Sequence, residues 1–429
     1  MQSDRLLERM QQLHPKVIDL TLDRVWRLLD AMDHPEQTLG PVIHIAGTNG
    51  KGSTLAMIEA MAHAAGLSTN AYISPHLVRF HERIRQNGQS ISEDELTACL
   101  DACAQANGDT PITYFEITTI AAFESFRRQP ADLTLLETGL GGRLDATNVL
   151  DRPRVTVITP VALDHQQFLG DTLTEIAGEK AGILKPGVPA VVGPQSMEAL
   201  MVIEARAEKI GAPLYREGVE WQSWEERGRL VFQDQDGLLD LPLPNLFGAH
   251  QIDNAGMAIA AIRASGLGID EQAMARGITQ TNWPARLMPL TNHPLLAQLP
   301  DGSELWLDGG HNPAAGAIVA DAMTSRQAAN PLPLKMVTGM LTTKEPAGYF
   351  KPFAPLNPTV RAVPIASEMA SFDQADLSDR AIAAGLDAAP ANNIAAAVAS
   401  LVVNDQPVRL LICGSLYLAG DVLKDLPKP

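Results

Sequence analysis

The stretch HIAGTNGKGST, His44 to Thr54, gathers the residue types that hold a polyphosphate. An apolar run from Val42 to Ala46 reads as a strand, a glycine-rich turn follows at Gly47 and carries Lys51, and Ser53 and Thr54 open a helical stretch, LAMIEAMAHAAG. Backbone N–H groups in such a loop, added to the positive end of the helix, point at phosphate oxygens. Lys51 neutralises outer phosphate charge, and Ser53 or Thr54 offers a hydroxyl to Mg²⁺. The strict Walker pattern fails, because Ile45 stands where it needs Gly and Gly52 where it needs Ser or Thr. A glycine turn with a solvated lysine fits the same letters, so the rest of the chain has to decide.

Ligands of open parallel sheets bind beyond the carboxyl ends of the strands, and the other reactive residues fall at such ends. Ser74 and His76 (ISPHL) follow a second strand, Glu137 closes a third before the loop TGLGGRLDATN, and Asp164 with His165 follows a fourth. Each has a plainer reading: Ser74 caps a turn before Pro75, Glu137 accepts from its glycine loop, His165 is a core histidine, and Lys180 in IAGEKAGILKPG snorkels at the surface. An ionisable residue that ends an apolar strand nevertheless costs desolvation unless something pairs with it, and a divalent cation does. Asn254 suits a purine edge or a cap. Arg286, between two prolines in NWPARLMP, reaches a phosphate or stays solvated, and Asp308 in LDGGHNP, with His311 behind it, suits a ribose hydroxyl.

The elements that must position these groups alternate. Strand-like runs VIHIA, TNAYI (69–73), DLTLLE (132–137) and VTVIT (155–159) are separated by helical patterns at 92–106 and 114–129. This predicts an α/β fold with a P-loop-type, mostly parallel sheet flanked by helices. Residues 214–243 change character and suggest a small antiparallel excursion, after which 250–266 returns to helix. Beyond NWPARLMP the alternation restarts, which predicts a second, smaller, Rossmann-like α/β domain. The expected division is 1–285, a linker at 286–290, and 291–429. A net charge of −17 argues against nucleic-acid and anionic-membrane partners. Three scattered cysteines, a charged N-terminus and no long apolar stretch point to a reducing cytoplasm with no membrane span.

Eight blocks in order, HIAGTNGKGST, YISPHLVRFHERIR, ETGLGGRLDATN, LDHQQFLGDTLTEIAGEKAGILKPG, HQIDNA, WPARL, LDGGHNP and CGSLYLAGDV, make the chain resemble the bacterial folylpolyglutamate synthases, of the bifunctional dihydrofolate synthase type, within the Mur ligase superfamily. The departure from the Walker pattern is that family's own form of the loop. The resemblance implies that Gly47, Thr48, Asn49, Gly50, Lys51, Gly52 and Ser53 hold the ATP phosphates. It places one Mg²⁺ on Ser53, Ser74 and Glu137, and a second on Glu137, His165 and Lys180. An ammonium cannot ligate a cation, so Lys180 is expected as N6-carboxylysine, with Lys51, Lys180 and His165 as the catalytic set. Asn254, Arg286, Asp308 and His311 are implied for the nucleotide, Arg286 on phosphate and Asp308 on ribose. Arg83 and Phe115 are implied for the pteridine.

The implied reaction is ATP-driven amide ligation on a monomer. A carboxylate attacks the γ-phosphate to give an acyl phosphate, and L-glutamate then displaces phosphate. Dihydropteroate is one acceptor, giving dihydrofolate, and the γ-carboxylate of a folate glutamate tail is the other. Polyglutamylation alone is one alternative. A Mur-type ligase for another acceptor is a second, but a reader of UDP-linked precursors calls for an extra N-terminal domain, and only about 40 residues precede the phosphate loop. A non-catalytic ATP switch is the third; it needs neither Glu137 and His165 nor a second domain.

Overall fold

The computed structural model describes residues 2–16, 18–402 and 405–424, so Met1 and residues 425–429, at the ends of the two expected domains, lie outside the described residues. The chain forms two compact units: residues 1–162, 166–245 and 252–281 make the first, and 163–165, 246–251 and 282–429 the second.

An eight-stranded sheet organises the first unit. Its strands are β1 Val42–Ala46, β2 Thr69–Tyr72, β3 Ile84–Gln86, β4 Gln89–Ser90, β5 Leu133–Glu137, β6 Val155–Ile158, β7 Ala190–Val192 and β8 Leu214–Arg216. They lie in the order β4-β3-β2-β5-β1-β6-β7-β8. All neighbours are parallel except β2 with β3 and β3 with β4. Every residue of β1, β2, β5 and β6 is buried, the signature of strands covered by helices on both faces. The helices start where the sequence supplies caps. Thr113 and Glu116 form a reciprocal capping box at Tyr114–Arg128, and Thr172 with Glu175 repeats it at Leu173–Lys180.

The excursion at 214–243 divides in a way the sequence did not suggest. Leu214–Arg216 pairs parallel with β7 as the edge of the main sheet. The antiparallel part is a separate three-stranded sheet of β9 Trp221–Glu226, β10 Arg229–Asp234 and β11 Gly237–Pro242, ordered β11-β10-β9. Three residues are too few for a strand signal to stand out from the polar turns around it.

The second unit holds a six-stranded sheet of β12 Met288–Pro289, β13 Glu304–Leu307, β14 Leu334–Thr338, β15 Thr359–Ala362, β16 Asp387–Pro390 and β17 Arg409–Cys413. The order is β12-β13-β17-β14-β15-β16, and only β12 runs antiparallel. At the start of β17 the wholly buried Arg409 donates from Nε to Glu304 Oε2 (2.8 Å), from Nη1 to Gln327 Oε1 (2.7 Å) and from Nη2 to the carbonyl of Asn330 (2.8 Å). Glu304 Oε1 also accepts from Arg326 Nη2 at 2.7 Å. Burial alone raises the Glu304 carboxyl, but hydrogen bonds from Arg326 and Arg409 outweigh it and hold the group well below the ordinary glutamate range. A depressed folded-state pKa contributes stability that is present above the unfolded value, about 4.3, and is lost as pH falls through the folded value. In urea denaturation of the wild type and Glu304→Gln, the wild-type advantage is therefore expected to be constant from neutrality to about pH 5 and to shrink progressively below about pH 4; an advantage that grows on acidification contradicts the assignment.

Candidate active site

Gly47 leaves β1 and turns directly over the exit of β6. Thr48 N and Asn49 N both donate to the carbonyl of Pro160 (3.0 and 3.3 Å), Thr48 Oγ1 donates to the carbonyl of Ala162 (3.0 Å), and Ala162 N donates back to Thr48 Oγ1 (3.0 Å). The loop is thus tied to the next strand's exit before any ligand is considered. Gly47 has φ +148°, and a Cβ there collides with Thr159 Oγ1. Gly50, the residue that caps helix Lys51–Ala64, has φ +91°, and a Cβ on it falls 2.5 Å from Asn254 Oδ1. Both positions therefore require glycine twice over, for conformation and for space. His44, inside β1, is no part of this chemistry: burial, helped by the charge of Lys185, pushes its pKa down to about 3, and Nε2 rests 2.8 Å from Thr147 Oγ1.

Lys51 opens the helix, and its Nζ donates to the carbonyls of Gly47 (3.2 Å) and Thr48 (3.3 Å) while lying 3.8 Å from Glu137 Oε1. Glu137 sits at the end of β5, next to β1, and its Oε2 accepts from Ser74 N at 3.4 Å. Lys180, buried at the end of helix Leu173–Lys180, donates to the same Gly47 carbonyl at 2.9 Å. Adjacent parallel strands thus bring Lys51, Ser74 and Glu137 to one loop, helix Leu173–Lys180 adds Lys180, and Asn254 reaches it from helix His250–Ser265. The donors suit a hard divalent cation: a carboxylate, the buried Ser53 at the helix start, and Ser74. Beside them the buried hydroxyls of Thr54 and Thr159 have no hydrogen-bond partner among the described residues. Thr159 was not singled out from sequence, because a threonine ending a β-branched strand reads as strand.

Arg83 and Phe115 lie in an aromatic cluster of the same unit. Arg83 Nε donates to His76 Nδ1 (2.9 Å), with the guanidinium 5.4 Å above the Phe80 ring and 5.9 Å from that of Tyr114. Phe115 lies 6.0 Å from Tyr72 and rests against Gly139 of the glycine-rich loop after Glu137.

In the second unit, Asp308 follows β13 and folds its carboxylate back: Oδ2 accepts from Leu287 N (2.9 Å) and Oδ1 from Gly310 N (2.7 Å). Arg286, between Ala285 (φ +58°) and Leu287 (φ +44°), donates from Nη1 to the carbonyl of Ala285 at 2.9 Å. Left-handed backbone on two non-glycine residues marks a segment whose shape is imposed by its surroundings. His165 also belongs to this unit, carried by the segment 163–165. Its Nε2 is 3.4 Å from Lys344 Nζ, and neighbouring Asp164 binds Lys344 Nζ (2.7 Å) and Asn312 Nδ2 (3.1 Å), with His311 Nε2 at 3.7 Å. Burial opposes ionisation of Asp164, but the His311 hydrogen bond and the Lys344 charge keep its carboxyl far below the usual range. Lys344 carried no motif signal, since a lysine after a strand is commonly solvated, and Asn312 lay inside the block LDGGHNP without being singled out. Among the described residues no group of three or more His, Cys, Asp or Glu side chains converges as a cation cage.

Residues 45–262 match the Mur ligase middle domain, and with the phosphate-loop geometry this makes the chain an ATP-dependent ligase of the Mur type. It is 39% identical over 345 residues to the Escherichia coli dihydrofolate synthase/folylpolyglutamate synthase, a match covering 80% of this chain and 77% of that protein. Its fold is similar to that of E. coli FolC in complex with DHPP and ADP, with a TM-score of 0.86, 34% identity, and 98% and 97% of the two chains covered. A Yersinia pestis bifunctional folylpolyglutamate synthase/dihydrofolate synthase complexed with AMPPNP and Mn ion gives a TM-score of 0.87 at 30% identity, covering 98% of this chain and 97% of that one. The chain belongs to the dihydrofolate synthase/folylpolyglutamate synthase family. No helix among the described residues is long and apolar enough to cross a membrane.

Forcing a side chain onto left-handed backbone costs about 1–2 kcal/mol. Gly50→Ala is therefore expected to weaken binding of a non-hydrolysable ATP analogue by about tenfold or more, with the fold retained. Calorimetric titration measures this, and an unchanged affinity refutes the close fit of the loop to Asn254.

Proposed function

We propose that the chain joins L-glutamate to dihydropteroate, giving dihydrofolate, and to the γ-carboxylate of folate glutamate tails. The observation that carries this reading is the phosphate loop on which Lys51, Glu137, Ser74 and Lys180 meet; the names of the relatives supply the acceptors and the amino acid. An acceptor carboxylate oxygen forms a bond to the γ-phosphorus as the bond to the ADP oxygen breaks, giving an acyl phosphate. Backbone N–H groups of Gly47 to Ser53 and the Lys51 ammonium offset the charge on the transferring group. Attack by the amine of L-glutamate on the acyl carbon then expels phosphate and leaves the amide. Water must be kept from the acyl phosphate throughout, because hydrolysis wastes it.

Divalent cations, when bound, supply further positive charge to the phosphates. Ser53, Ser74 and Glu137 are proposed to hold one Mg²⁺, and Glu137, Lys180 and His165 a second. Lys180 enters that set as a carbamate: its neutral amine adds to CO₂ and loses a proton, replacing a cation by a carboxylate-like ligand. What supports this is that among the described residues no group of three or more His, Cys, Asp or Glu side chains gathers, so a carbamate would add the carboxylate-like ligand that Glu137 otherwise lacks beside it. Asn254 is proposed for the purine, Arg286 for phosphate, Asp308 for ribose with His311 beside it, and Arg83 and Phe115 for the pterin. Residues 1–285 are then the ATP-binding domain with the phosphate loop and pterin pocket, 286–290 the linker that carries Arg286, and 291–429 the glutamate-ligase domain that carries Asp308 and His311, in a monomer of the cytoplasm. The three buried, unpaired cysteines are in keeping with that compartment.

The purified chain is expected to convert ATP to ADP only when L-glutamate and either dihydropteroate or a reduced folate are both present, and comparing the two acceptors separates bifunctional from polyglutamylating enzyme. Turnover with neither acceptor overturns the reading. Lys180→Ala is expected to lose turnover by at least about a hundredfold, as for loss of a phosphate-stabilising group, and to regain part of it when a short carboxylic acid is added; failure of that rescue removes the carbamate and leaves the rest.

A further inference from the structure

The amino ends of the second unit's strands line a partly open cavity of about 170 Å³, at the opposite end of the strands from Asp308. Lys335 of β14, Thr359 of β15, Arg409 of β17, Gln327 near the end of helix Pro313–Ala329, and Asn357 provide its polar lining, and among the described residues no carboxylate is part of it.

Its hydrogen-bonding inventory is one-sided. Arg409 commits three of its five N–H groups to Glu304, Gln327 and the Asn330 carbonyl and, being wholly buried, contributes its charge to the cavity. Gln327 Oε1 already accepts from Arg409 Nη1 and from Leu332 N (3.2 Å), which leaves that side chain its amide N–H groups to offer. Lys335 Nζ has one acceptor among the described residues, the neutral Thr359 Oγ1 at 3.0 Å, so the Thr359 hydroxyl keeps its own proton for another partner. The Asn357 side chain makes no hydrogen bond to another described residue, which adds two amide N–H donors and one amide acceptor.

Charge follows the same direction. Glu304 is shared by Arg409 and Arg326, so that cluster retains one positive charge, and Lys335 adds another. Asp387, opposite Thr359 in the register of β16, makes no ion pair with Lys335 among the described residues. A donor-rich cavity with net positive charge, in a chain whose net charge is −17, is matched by an anion in which acceptors outnumber donors.

We propose that the cavity lined by Lys335 and Arg409 binds a small tetrahedral oxyanion of the inorganic phosphate class, at a site separate from the phosphate loop. The proposal does not depend on which acceptor the ligase uses, and it assigns Lys335 a ligand contact outside the reaction.

The test compares the full-length chain carrying Lys51→Ala, which cripples the phosphate loop, with the double variant Lys51→Ala/Lys335→Met, by thermal unfolding in rising inorganic phosphate at constant ionic strength. A ligand that binds the folded state raises the midpoint with the logarithm of its concentration above Kd, whereas the general salting effect of phosphate acts on both proteins alike. The single variant is expected to gain an extra midpoint rise that the double variant lacks, sulfate to reproduce it, and acetate not to. Equal responses of the two variants to phosphate overturn the site, and an equal Lys335-dependent rise with acetate overturns the tetrahedral class.

Discussion

The first unit depends on one close approach, that of the loop after β1 to the exit of β6. Gly47 passes over Thr159 with no room for a side chain, and Thr48 and Asn49 hang from the Pro160 carbonyl. Because these bonds lie within the protein, the loop's curvature is set before a nucleotide arrives, and little ordering cost is left for binding. The Gly47 carbonyl, turned inward by that curvature, is the point to which both Lys51 and Lys180 donate. Moving that carbonyl therefore disturbs two amines and, through Lys51, the carboxylate of Glu137.

The second unit solves a different problem. Its polar residues are committed to each other: Asp308 braces the backbone at Leu287 and Gly310, and Asp164 gathers Lys344, Asn312 and His311. Buried charges in such clusters are tolerable only because each has partners at hydrogen-bond distance. The same economy holds at the other end of the strands, where Glu304 serves two arginines.

Most of the first unit was legible in the sequence because its strands are uninterrupted apolar runs and its reactive residues sit at strand ends, where parallel topology gathers them. Glu137 could be placed from that rule alone. The short strands were not legible: β3, β4, β7, β8 and β12 contain three residues or fewer and owe their pairing to neighbours rather than to local pattern. Lys344 and Thr159 escaped notice for another reason, since their residue types announce nothing until the fold supplies an ionised aspartate or a glycine against which they pack. The antiparallel sheet of β9 to β11 was visible as a change of alternation, but its boundary with β8 was not.

The second unit is assembled from three separated lengths of chain, since 163–165 and 246–251 belong with 282–429. A fragment beginning at Asn282 would leave behind Asp164, the carboxylate 2.7 Å from Lys344, whose side chain is 9% exposed. It would also leave behind Phe247, whose ring lies 4.8 Å from that of Trp306. Such a cassette would start life with an enclosed, unneutralised ammonium and a bared indole, so gene fusion or recombination at that boundary transplants an incomplete body.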